Sequence, residues 1–598
     1  MGLPGPLTGP KDRVADVPRS GTPDTSAAPP GGTPGTAKTA ARHARPAGAG
    51  SRAPGLVRPL LVPAAIALAV VLLFVAYLMV SRTYPENSDE ANILLMASDM
   101  LHGNVLLHGW YLSDVSFYTT ELPQYAMLER LIGLHADTAH VAAAMTYTLV
   151  LLAAALLARG RPTGEAAWPR VLLTAGIMIA PQLGVGVFVL LLSVGHIGTA
   201  VPLMLTWLVI DFGTRDAQAR LRWRVPVLVG LLLTWVLVAD PLVLVIGIVP
   251  LVAVCAVRIV GSVIAARRRG RGSPGWLGAG LRACTYEASL AAAAILAYGA
   301  ASLVNWLLRA SGGFILHPVG YRLAPPHTWL AHARVTGLGL LALFGAKPEG
   351  PAAEMAFAIV HLVGVALVAW AICRVARRFF SWPDLVSQIL LAAMVVNVVV
   401  YVPSTLADAT DLNAREFAIV LPFGAVLAGR TLAARLLGRE VGRPGRLREA
   451  RWRAGLASAL LAVYAASLGY ATAQPSVPPA NAQLASFLAS HHLTEGVGGY
   501  WLSSIVTVDS DGAVTVRALL PGKLQPDLWE SKPSWYDPAS YRPTFLVTDS
   551  QPGFFHYWQP NPAALAAYGP PARTYHVGPY TVYVWDKNLL LSSGDRGT

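Results

Sequence analysis

The sequence predicts a polytopic α-helical membrane protein of about eleven spans, followed by a small extracytoplasmic domain of α/β or α+β type. Three observations predict it. Apolar runs of about 20 residues, enough to cross a hydrocarbon core of about 30 Å, recur along most of the chain. Only 13% of the 598 residues are charged and 54% are hydrophobic, whereas a soluble protein carries about 25% charged residues. The basic residues sit in short clusters between the apolar runs, as the cytoplasmic bias of Lys and Arg requires. That scatter also speaks against nucleic-acid binding. The formal net charge is +13, but it forms no single basic patch.

Residues 1–55 are rich in Pro, Gly, Ala, Ser and Thr without apolar periodicity, which predicts a disordered cytoplasmic tail. Arg42, Arg45, Arg52 and Arg58 precede the first span and hold the tail inside. The transmembrane region is predicted over residues 56–473. Its first span, 59–80, is too long for a signal-peptide core and is followed by no small-residue cleavage site, so it is expected to stay as an anchor. The first outer loop, 81–137, opens with Asn87-Ser88-Asp89-Glu90.

The remaining spans follow from where the arginines fall. The second, 138–157, ends at Arg159 and Arg161; a hairpin over 169–210 turns near Gly195-His196 and returns to Arg215, Arg220, Arg222 and Arg224. A second hairpin, 225–257, turns at Ala239-Asp240-Pro241 and returns to Arg267, Arg268 and Arg269. Its arms are about 15 residues each, roughly 23 Å of helix, so the Asp240 turn is expected below the outer surface, in a cavity. Further spans are predicted at 285–308, 354–373, 384–403, 417–436 and 454–473, with an outer segment at 309–353 and an outer loop at 404–416. Every inner loop then carries Arg, which places the N-terminus inside and residues 474–598 outside. In that last domain, 481–491 reads as a helix; 501–508, 513–519, 544–548 and 580–585 read as strands, being rich in β-branched and aromatic residues.

The cysteines, Cys255, Cys284 and Cys373, lie in or beside spans and form neither a disulfide framework nor a zinc-type spacing. The acids and histidines concentrate outside. The first loop holds Asp89, Glu90, Asp99, Asp114, Glu121 and Glu129 with His102, His108 and His135. The hairpin turns add His196 and Asp240, and the 404–416 loop adds Asp408, Asp411, Arg415 and Glu416. Ionisable groups at membrane depth are costly and usually line a functional cavity. A wet outer loop explains most of these residues. It explains Asp240 less well, because its flanks at 236–239 and 242–246 are apolar. An acid pair at a helix start serves equally as a cap or as a catalytic base.

The layout resembles the GT-C glycosyltransferases, in particular the protein O-mannosyltransferase and aminoarabinose-transferase-like group. Asp89-Glu90 matches that group's acid pair just after the first span. Thr119-Thr120-Glu121-Leu122-Pro123-Gln124-Tyr125 is the counterpart of its Pro-containing turn, with one Pro and an acid where the family has two prolines and a basic residue. Arg415, in Asn413-Ala414-Arg415-Glu416-Phe417, resembles its Arg near the outer end of a late span. The resemblance covers residues 58–473 in layout. It implies sugar transfer, on the outer side of a bacterial plasma membrane, from a polyprenyl-phosphate sugar to a glycan, lipid or protein acceptor of the cell envelope or secreted. A carboxylate suits removal of the acceptor proton: Asp89 first, Glu90 as alternate. An Arg fork suits the departing lipid phosphate: Arg415 first, with Arg322 and Arg334 better read as lipid-headgroup contacts. Asp114, Glu121, His196 and Asp240 are the candidates for acceptor contact or cavity lining. No Gly-rich phosphate loop argues for a nucleotide sugar, and the histidines show no zinc-type pattern, so no metal or other cofactor is assigned.

The C-terminal aromatics allow two readings. Tyr500-Trp501, Trp529, Trp535-Tyr536 and Tyr557-Trp558 suit stacking on sugar rings or packing of the small domain, whereas Trp585, on a predicted strand, reads as core. Two other functions fit the same layout: a transporter or flippase for a lipid-linked glycan, or a non-catalytic membrane protein of envelope assembly.

Overall fold

The apolar runs predicted to span the membrane fold as helices, except that the first arm of the 169–210 hairpin is broken between Met178 and Val185. The computed structural model describes residues 57–160, 167–192, 194–214, 223–269, 284–318, 321–407, 410–437, 446–479, 481–520, 524–552 and 558–593. The predicted tail at 1–55, Arg161, Arg215, Arg220, Arg222, Asp408 and Tyr557 lie outside the described residues. The membrane-region helices are α1 (Val57–Ser81), α2 (Ser88–Leu101), α3 (Glu121–Ile132), α4 (Ala136–Arg159), α5 (Trp168–Met178) and α6 (Val185–Val187). They continue as α7 (Ala200–Thr214), α8 (Arg224–Ala239), α9 (Val249–Arg269), α10 (Thr285–Ala310), α11 (Trp329–Leu343), α12 (Ala352–Ala376), α13 (Leu385–Tyr401), α14 (Val420–Leu437) and α15 (Arg446–Thr472).

By length and composition, six helices among the described residues can cross a membrane, or seven if the 57° bend between Asp411–Phe417 and Val420–Leu436 lies within one span. The expected count of about eleven needs the shorter apolar helices as well. Leu68, Val71 and Leu72 of α1 are more than half exposed; such a face is stable only against lipid or a partner. This is a multi-pass membrane protein. The hairpin at Asp240 departs from expectation in one arm. α8 is 16 residues long, but the returning arm runs unbroken over 26 residues, Leu244–Arg269, through a π turn that merges with α9. Asp240 is nevertheless fully buried.

The described residues from Pro63 on pack as one unit. A large core joins α1 and α4 to α14 through side chains such as Tyr77, Tyr147, Trp207 and Phe423. A second core lies over it, built from α2, α3 and the following loops around Trp110, and it takes in Ile505 and Val508 from far along the chain. A short parallel ladder, β1 (Tyr111–Leu112) with β2 (Ile315–Leu316), ties the first outer loop to the segment after α10.

The C-terminal residues form a five-stranded sheet in the order β4-β3-β5-β7-β6. Its strands are β3 (Glu495–Gly498), β4 (Thr515–Ala518), β5 (Phe545–Asp549), β6 (Arg573–Val577) and β7 (Tyr580–Val584). β3 runs parallel to β4 and β5, and β7 runs antiparallel to β5 and β6. Helices α16 (Ala482–Ser490) and α17 (Tyr500–Asp509) accompany it. The 501–508 stretch, expected as a strand, is α17. Its Leu502 and Val506 are buried in the core of the sheet, and its Ile505 and Val508 in the core around Trp110; the four- and three-residue spacings of the two pairs are those of helical faces. α17 packs against both α2 and β4, so tertiary burial overrides the β propensity of Val and Ile.

Candidate active site

The capping of α2 decides where the acid pair points. Asn87 is the N-cap: its Oδ1 accepts from the Asp89 N–H at 2.8 Å, and the Glu90 carboxylate accepts from the Asn87 N–H at 2.9 Å. This reciprocal pair satisfies two backbone donors that a helix start leaves open. Burial, reinforced by the neighbouring Asp89 charge, holds the Glu90 carboxyl well above its ordinary value. Glu90, the alternate base by sequence, is therefore a helix cap and lines no part of the cavity described next. Consecutive helical residues point about 100° apart, and Asp89 faces elsewhere.

Asp89 opens into a cavity of about 400 Å³. Asp114, His196, Arg415 and Glu416 line it with Asp89, and Tyr500, Trp501, Trp529 and Glu530 line it from the C-terminal residues. Arg415 Nη1 donates to Asp89 Oδ2 at 3.1 Å, and its Nε lies 3.9 Å from Glu416. The Arg415 side chain keeps 30% of its surface exposed, so an anion entering the cavity can reach it. Behind this pair, His196 Nδ1 donates to Asp240 Oδ2 at 2.8 Å and Nε2 faces Glu416 Oε2 at 3.3 Å. Thr199 Oγ1 and the Leu242 N–H also donate to Asp240, at 2.6 and 2.8 Å. With a carboxylate at each ring nitrogen, His196 donates from both. Burial opposes its charge, but Asp240 and Glu416 outweigh burial and hold the imidazole well above its ordinary value. Asp114 accepts from the Tyr321 hydroxyl at 3.3 Å, and burial pushes its carboxyl up.

Residues that sequence reasoning did not assign complete the wall. The Tyr500 hydroxyl lies 2.8 Å from Asp89 Oδ1 and 2.7 Å from Glu530 Oε2. Asn92 Nδ2, one turn along α2, donates to both Tyr500 and Glu530 at 3.1 Å. Glu530 has φ +48°, a left-handed conformation that costs a non-glycine residue about 1–2 kcal/mol. Its successors hold it there. Ser531 and Tyr111 exchange backbone hydrogen bonds at 2.8 and 3.0 Å, Lys532 Nζ sits 3.0 Å from both Asp99 oxygens, and Trp535 meets Trp110 edge-on at 5.0 Å. The signal for Tyr500 was its place in an aromatic cluster. Trp501 and Trp529 reach the cavity, whereas Trp535 is covered by Arg517, 3.6 Å over its ring, and the Tyr536 hydroxyl donates to the Ala518 carbonyl. Trp585 is buried, its indole donating to Gly569.

The structure thus brings Asp89, Asp114, His196, Asp240 and Arg415 together. It leaves out Glu90 and Glu121. Glu121 belongs to the first turn of α3, where Pro123 sits within the helix and not in a free turn. Its buried carboxyl, pushed up to about 7 chiefly by burial, points at Gly198 and lines a separate small cavity. A Cβ at Gly198 would sit 1.9 Å from Glu121 Oε1. Gly198→Ala is therefore expected to destabilise the protein by about 1–3 kcal/mol, read as a lower unfolding temperature. Adding Glu121→Ala should restore most of the loss. Arg322 and Arg334 are exposed and line none of this cavity. Among the described residues no group of three or more His, Cys, Asp or Glu is set out to hold a metal.

No family model matches the sequence, and no curated protein matches it. Solved structures do. ArnT from Cupriavidus metallidurans in the apo state superposes with a TM-score of 0.51 at 14% identity, over 90% of this chain and 99% of that one. The chain has the fold of that protein. ArnT from the same organism bound to undecaprenyl phosphate gives a TM-score of 0.49 at 13% identity, over 88% and 98% of the two chains. The oligosaccharyltransferase of Archaeoglobus fulgidus tethered with an acceptor peptide gives 0.45 at 12%, over 81% and 69%. Within this fold, Asp89 stands at the start of the helix after α1, and Arg415 precedes the bend into α14.

Proposed function

We propose that this protein is a membrane glycosyltransferase that moves a sugar from a polyprenyl-phosphate sugar to a cell-envelope or secreted acceptor. The observation that carries the reading is the Asp89–Arg415 pair at 3.1 Å on the wall of one cavity. A base and a cation then stand within one substrate's length of each other. The GT-C fold supports the donor class, and the site lies where the positive-inside pattern puts the outer face of a bacterial plasma membrane. Residues 474–598 then form an extracytoplasmic domain that closes the cavity.

The chemistry follows from the pair. In the resting site Arg415 is engaged by Asp89. A phosphate arriving at Arg415 competes for the guanidinium and releases Asp89 Oδ2 toward the acceptor. Asp89 accepts the acceptor hydroxyl's proton as that oxygen forms its bond to the anomeric carbon. The bond from that carbon to the phosphate oxygen breaks, and Arg415 holds the charge left on the lipid phosphate. The aromatic faces of Trp501 and Trp529 offer apolar walls for sugar rings.

The test is transfer from radiolabelled polyprenyl-phosphate sugars to cell-envelope extract by the purified protein. Arg415→Lys keeps the charge but loses the fork, and is expected to raise the donor KM by about 10-fold or more, equivalent to about 1.4 kcal/mol. An unchanged donor KM would remove Arg415 from the phosphate site.

A further inference from the structure

We propose that Tyr500 and Glu530 are positioning residues for Asp89: Glu530 carries a proton in the working enzyme and hands its hydrogen bond through the Tyr500 hydroxyl to the base. This rests on the reading of Asp89 as base. The argument is a count of protons. Asp89 Oδ1, the Tyr500 oxygen and Glu530 Oε2 form a row with contacts of 2.8 and 2.7 Å. Two hydrogen bonds in a row of three oxygens need two protons, and a phenol supplies one. Asn92 donates its amide to Tyr500 and Glu530, but those contacts fill acceptor positions and put no proton between the oxygens. The second proton therefore belongs to a carboxyl.

Asp89 is not that carboxyl, because its other oxygen faces the Arg415 guanidinium. The titratable groups facing Glu530 are Asp89 and Tyr500; Asn92 and Ser113 beside it are neutral. The proton sits on Glu530, which donates to Tyr500, which donates to Asp89. Burial acts in the same direction: with the Asp89 charge it pushes Glu530 up to about 7. The left-handed backbone at Glu530 and the Ser531–Tyr111 ladder beside it fix this carboxyl against the base.

Loss of that proton sets two carboxylates against one phenol, and Tyr500 can no longer donate fully to Asp89. The rate of transfer is therefore expected to fall with an alkaline limb near pH 7. Glu530→Gln donates through its amide at every pH, so its transfer rate is expected to lose that limb and run level across pH 7. Tyr500→Phe breaks the row and is expected to lower kcat with little change in donor KM.

A second readout needs no turnover. A carboxyl raised from its ordinary value stabilises the fold fully below the ordinary carboxylate range and loses that contribution as pH rises through about 7. The unfolding temperature of the native protein should therefore fall over this window relative to Glu530→Gln. A limb kept by Glu530→Gln, or unfolding curves that run parallel with pH, would overturn the proposal. The Asp89→Asn variant separates the two readings. If it transfers sugar normally, the base assignment fails; if it is inactive while Glu530→Gln keeps the limb, only the positioning pair fails.

Discussion

Asp89→Asn is expected to lower sugar transfer by about 100-fold to 10,000-fold, the range a positioned general base supplies, with the protein still folded. Asparagine matches the size of the side chain and keeps an oxygen for Arg415 or Tyr500, but it cannot take the acceptor's proton. Its donor KM should stay level or fall, because Arg415 loses a competing carboxylate. The neighbouring change gives the sharper contrast. Glu90→Gln preserves the capping geometry, since Gln serves at the same cap position, and transfer should remain near the native rate. Equal losses from both variants would mean that the acid pair acts through α2 as a whole. No loss from Asp89→Asn would take the pair out of the chemistry.

The largest expected effect on stability comes from His196→Ala. The imidazole links Asp240, fully buried, to Glu416. Its removal leaves Asp240 with only Thr199 and the Leu242 N–H. Breaking a buried ion pair from one side costs about 3–5 kcal/mol, because the remaining charge is left uncompensated. Thermal unfolding of the detergent-solubilised protein measures it. His196→Ala with Asp240→Asn should recover much of the loss, since the stranded charge is then gone. A single variant as stable as the native protein would show that water or lipid headgroups reach Asp240 and take over the role of the ring.

The helical framework was legible in the sequence because lipid imposes one requirement, a long apolar run, and clusters of arginine mark where pairs of runs are separated. The elements that carry a different logic were less so. α17 has the composition of a strand and the spacing of a helix, and its partner, α2, decides between them. In the site, the sequence brought Asp89 to notice through an acid pair just outside the first span, Arg415 through a resemblance, and Asp240 through its apolar flanks. It could not separate Asp89 from Glu90, because that separation depends on Asn87 accepting from one backbone amide while Glu90 turns back to another. Nor could it find Glu530, which meets Asn92 across 438 positions and follows no motif. Contacts of that kind arise from how the C-terminal sheet docks, through Tyr111–Ser531 and Asp99–Lys532, and leave no local periodicity to read.

That docking has a consequence for how the protein is made. The cavity wall draws on residues as far apart as Asp89 and Glu530, so the ribosome releases Asp89 long before it releases Tyr500 and Glu530. Throughout translation of α3 to α15 the nascent chain carries an unfinished pocket. Only when the strand-bearing segment emerges can Tyr500 and Glu530 close onto α2. A chain interrupted before residue 499 would keep the Asn87 cap and the Asp89–Arg415 contact but would lack the side of the wall that Tyr500, Trp501, Trp529 and Glu530 supply.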